Sequence, residues 1–191
     1  MWTVEGLYMS NKIVPIYTLI IISSIYAIDF SSEILEFDVS DKFVDTYGQF
    51  YFIDCDGKND SISLYFPFLP NSGEPENIEI FSNDNKKLPW HWVKQDTLLR
   101  FKFAKRTCMV KIRYRTPIVK NRFVYILKSV KYWRQPLDSC RIIVKFPQYL
   151  GIDTNYPADT IFSTNSIITA VYFMKNFRPN KNFIIRVENK Q

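Results

Sequence analysis

The chain has 191 residues, 47% of them apolar and 17% aromatic, with a formal net charge of +6. That apolar content excludes an intrinsically disordered chain, and the length suffices to bury a core without a metal or disulfide staple. A single histidine excludes a zinc site built on several histidines, and the absence of a Gly-rich phosphate loop leaves nucleotide binding without support.

The chain opens with an apolar stretch from Ile13 to Ile28, preceded by Lys12 and carrying the small Ala27 at its end. A positive start, a short apolar run and a small residue before the cut describe an export signal over residues 1–27, with Met9 as an alternative start. The competing reading is an uncleaved membrane anchor, for which the stretch is short and interrupted by Pro15. No cysteine stands where a lipoprotein would begin. Export makes the expected location periplasmic or cell-surface and nucleic acid a poor partner.

Residues 28–191 read as strands. Ile34–Val39 alternates apolar and acidic residues, and Phe50–Cys55 and Ile62–Phe68 follow, joined as a hairpin through the Asp56-Gly57 turn signal. Asn71 to Pro75 is a loop. Ile78–Phe81, Leu88–Val93, Thr97–Phe103 and Met109–Tyr114 are further strands. Trp90 and Trp92 share one face with His91 on the other, and Leu99, Phe101 and Phe103 fall on one side. Phe123–Val130 reads as a longer strand, then come Cys140–Phe146, Leu150–Tyr156, Ile167–Phe173 and Phe183–Val187. No segment holds a helical period over three turns. Short strands with turn signals every 8–12 residues predict an all-β fold, an immunoglobulin-like or related antiparallel β-sandwich after an N-terminal signal helix. A single sandwich domain over 28–191 is expected, with a division near Lys105–Thr116 as the alternative.

Few residues suggest chemistry. His91 has no nucleophile elbow to serve, and its strand position reads as outward-facing. Asp54, Asp56 and Asp60 crowd around Gly57 as in calcium loops, but the closing bidentate Glu is missing, so a hairpin turn is the simpler account. Cys55, Cys108 and Cys140 permit one disulfide of unknown pairing, or buried thiols. Trp90, Trp92, Tyr132 and Trp133 would make a sugar-stacking platform if exposed, or core if not. Lys102, Lys105, Lys111, Arg113 and Arg115 recur at strand spacing, as on a solvated sheet face or one drawn to acidic surfaces.

Ile62–Pro70 resembles a strand ending in an F-P-x-x-P bend. Tyr114–Leu127 resembles a Y-x-x-P-L … F-x-Y-I-L pattern, Trp133–Leu137 a W-x-x-P-L turn, and Phe173–Phe183 an F-x-N-F-x-P-x-x-D-F segment with Asn182 in place of the acid. Together these resemble an uncharacterised family of bacterial exported β-sandwich proteins. The resemblance implies fold and export, and carries no catalytic or ligand residues. The expected function is a non-catalytic binding or scaffolding module of the cell envelope, without cofactor, whose partner is an envelope polymer or protein. A carbohydrate-binding module and an envelope hydrolase with an unrecognised carboxylate site are the alternatives.

Overall fold

The computed structural model describes residues 29–53, 61–69, 73–94, 97–104 and 107–189. The expected signal helix lies outside them. Among the described residues thirteen strands run in order: β1 Asp29–Val39, β2 Phe43–Ile53, β3 Ser61–Pro67, β4 Glu76–Ser82, β5 Trp90–Lys94, β6 Leu98–Ala104, β7 Met109–Pro117, β8 Arg122–Tyr125, β9 Leu137–Pro147, β10 Leu150–Thr154, β11 Thr160–Thr164, β12 Ile167–Phe177 and β13 Phe183–Asn189. The helical structure among the described residues is a 3₁₀ turn, Lys128–Tyr132. None of it is long and apolar enough to cross a membrane.

Among the described residues, side-chain alternation builds three sheets. The largest has the order β11-β12-β9-β1-β2-β7-β4, and two smaller ones have the orders β3-β6-β5 and β10-β13-β8. On β1, Leu35, Phe37 and Val39 are buried while Glu36 and Asp38 point outward; β9 repeats this with Cys140, Ile142, Val144 and Phe146. Both small sheets pack on the inward face of the large one. Phe52 of β2 meets Phe103 of β6 at 5.5 Å between ring centres, and Phe37 of β1 meets Phe123 of β8 at 5.3 Å. The small sheets approach each other where Phe66 and Tyr125 lie 6.4 Å apart.

The all-β sandwich matches the expectation, with three differences. First, Phe50–Phe68 is not a hairpin: β2 pairs with β1 and β7, whereas β3 pairs with β6 in another sheet. An interior strand needs a partner on each edge, and β1 and β7 supply both, so β3 is carried across to the covering layer. Second, the strand at Phe123 ends at Tyr125. Leu127 and Val130, three residues apart, bury together from the 3₁₀ turn, in which such positions eclipse. Third, β1 and β9 run parallel, from Ser32↔Ser139 to Asp38↔Lys145, which the long intervening chain permits. The suggested division at Lys105–Thr116 falls on β7, which lies between β2 and β4 in the large sheet.

Candidate functional site

The aromatic residues singled out in the sequence divide between two places. Trp90 and Trp92 stand on edge strand β5, half-buried against the core, with His91 exposed between them on the opposite face. Their rings are 5.8 Å apart and inclined at 79°, edge to face. Trp90 Nε1 donates to the Ile78 carbonyl at 3.2 Å, and Trp92 packs edge-on to Phe68 at 5.6 Å. Trp133 follows the 3₁₀ turn and packs instead on Phe30 at 5.3 Å and Phe52 at 6.1 Å. The Tyr132 side chain lies outside the described residues.

Trp133 borders a partly open cavity of about 60 Å³ between the large sheet and β3. Phe30, Phe50, Phe52, Phe66 and Phe101 line it, with Ser129 as a polar edge. Its walls suit an apolar guest, but its volume is well below that of ordinary small-molecule sites.

The sequence reading passed over a buried pair. Glu33 of β1 and Cys140 of β9 are register partners on the inward face, 2% and 0% exposed. The Cys140 thiol donates to Glu33 Oε1 at 3.2 Å. Burial pushes the Glu33 carboxyl up to about 7, against the lowering effect of that hydrogen bond. Burial and the neighbouring Glu33 push the Cys140 thiol well above its ordinary range, so it is a poor nucleophile. Burial, then Glu33, does the same to the Tyr125 hydroxyl. The signal for Glu33 was its parity: it occupies the same alternate positions as Leu35, Phe37 and Val39.

Cys140 stands as a free thiol, and Cys108 is exposed. Cys55 and the calcium candidates Asp54, Asp56 and Asp60 lie outside the described residues. Among the described residues no three metal-ligating side chains gather. The outer face of the large sheet is a ladder of matched charges: Arg115 holds Asp45 in two hydrogen bonds of 2.7 and 2.8 Å, Arg113 and Lys87 hold Glu79, and Lys145 holds Glu36.

No protein-family model matches the chain, and no curated protein matches it. Solved structures share its fold. A candidate nutrient-binding protein from Legionella pneumophila superposes with a TM-score of 0.65 at 15% identity, over 84% of this chain and 66% of that one. The M1 zinc metallopeptidase of Deinococcus radiodurans superposes with a TM-score of 0.52 at 8% identity, over 83% of this chain and 42% of the enzyme. The chain thus spans less than two thirds of the first and under half of the second. At such identities the likeness is one of fold.

Proposed function

We propose that this protein is a non-catalytic binding module of the cell envelope, exported by its N-terminal segment and acting by holding a partner. One observation carries the reading: the paired Glu33 carboxyl and Cys140 thiol are enclosed, while cations and partly buried aromatic rings face outward. Glu33 and Cys140 are buried, 2% and 0% exposed, beyond the reach of a substrate. Open sheet faces carry exposed His91, Lys94 and Lys102 and half-buried aromatic rings. The fold shared with a candidate nutrient-binding protein supports the same reading. The test is a thermal-shift screen of the purified chain against envelope polymers and small solutes, run beside esterase, glycosidase and peptidase assays. Stabilisation by a ligand recovered unchanged is the expected result. Turnover that survives repurification and disappears in Glu33→Gln would overturn the reading. Export is tested by the intact mass of the protein from its native host, which should begin near Ile28.

A further inference from the structure

We propose that the outer face of the β3-β6-β5 sheet binds an acidic polysaccharide. This inference rests on the binding-module reading and names the ligand class. The three strands contain no Asp or Glu, yet they carry Lys94, Arg100 and Lys102. Leu99, Phe101 and Phe103 are buried on the inward side of β6, so Arg100 and Lys102, which alternate with them, point outward. Arg100 is the register partner of Tyr65 on one side and His91 on the other; Lys102 lies opposite Ser63, and Lys94 opposite Leu98. Successive outward rows are about 7 Å apart, so the three cations form a stripe roughly 14 Å long.

Arg100 is held in position. Its Nη2 donates to Ser63 Oγ at 2.9 Å, and its guanidinium carbon lies 5.7 Å from the centre of the Tyr65 ring. Among the described residues its Nε is buried without a hydrogen-bond partner, an arrangement that costs free energy. A small outward shift of the guanidinium would place Nε and an Nη against the two oxygens of a carboxylate. Among the described residues, no ion pair engages Lys94, Arg100 or Lys102; on the large sheet Arg113, Arg115 and Lys145 each have an acidic mate, and Arg141 and Lys175 have none.

The surroundings favour a sugar acid over other polyanions. The Ser63 hydroxyl stands beside Arg100, a polar neighbour suited to a hydroxyl-rich ligand. A membrane surface calls for large apolar side chains to insert; Val93 apart, these are exposed elsewhere, at Tyr149, Ile161 and Phe162. Single-stranded nucleic acid calls for open aromatic faces, and Arg100 lies over the Tyr65 ring.

The test is affinity electrophoresis of the full chain at low salt through gels containing polygalacturonate, with dextran as the neutral polymer. Retardation by polygalacturonate alone is expected, weakened about tenfold in Arg100→Gln/Lys102→Gln. Arg141→Gln/Lys175→Gln, which removes the same charge from the large sheet's outer face, should bind as the wild type does. Equal loss in both double variants, or tighter binding to anionic phospholipid vesicles or duplex DNA, overturns the proposal. If Arg100→Gln unfolds the chain, Lys94→Gln/Lys102→Gln, at two exposed positions, decides by the same criterion. Failure with polygalacturonate while another ligand stabilises the chain refutes this site alone. Failure with every ligand of the screen refutes the binding-module reading as well.

Discussion

Replacing Glu33 with Gln should remove most of the chain's loss of stability with rising pH. Glu33 is 2% exposed, and its carboxyl titrates near 7 instead of 4.5 because burial disfavours the charged form. Below pH 4.5 the group is protonated folded or unfolded, and its contribution is fully present. Between 4.5 and 7 the unfolded chain releases the proton and the folded chain keeps it, so stability falls as pH rises, levelling off above 7. A shift of about 2.5 pH units corresponds to about 3 kcal/mol, or roughly 6–12 °C in melting temperature for a domain of this size. Asp38, also raised by burial, adds a loss of the same sign, while Glu79 and Asp84, lowered by their hydrogen bonds, act in the opposite sense at more acid pH. The informative quantity is therefore the difference between wild type and Glu33→Gln in urea melts from pH 4 to about 9. Gln keeps the shape and still accepts the Cys140 thiol. Cys140→Ala, which deletes the hydrogen bond that lowers the carboxyl, should extend the loss to higher pH. Parallel pH profiles for wild type and Glu33→Gln would refute the reasoning.

Three further outcomes follow from packing. Trp133→Ala should cost about 2–3 kcal/mol in chemical denaturation, below the range for a fully buried ring, because Trp133 is only partly buried beside Phe30 and Phe52; an unchanged midpoint would make it a surface contact. Gly48→Ala on β2 should cost about 1–3 kcal/mol, since its Cβ would fall 2.7 and 2.8 Å from the Phe50 ring, and Phe50→Leu should recover part of the loss. Cys140 should resist maleimide in the folded chain and react once urea unfolds it, as read by peptide mass; labelling at native conditions would contradict its burial.

Much of this architecture was legible in local pattern. Period-two alternation marked Leu99, Phe101 and Phe103 as core and set His91 opposite Trp90 and Trp92, because successive side chains on a strand must take opposite faces. The same rule contained the parity of Glu33, although only the packed layers around it make that carboxyl costly to ionise. The pattern could not show partners. A strand's backbone N–H and C=O groups pair equally well with any other strand, so alternation names the faces of β2 and β3 and leaves their neighbours open. The exposed five-residue β11 and the 3₁₀ turn at Lys128–Tyr132 escaped for related reasons: the first buries no face that alternation could reveal, and the second breaks an apolar run that reads as strand. The sequence by itself thus determined an all-β chain and which side chains seek the core. Tertiary structure alone decided that β1 and β9 lie side by side, bringing Glu33 to Cys140 across 107 residues, and that Arg100 of β6 stands between Tyr65 and His91. Those meetings depend on strand order, which long-range pairing and the joint burial of three sheets select.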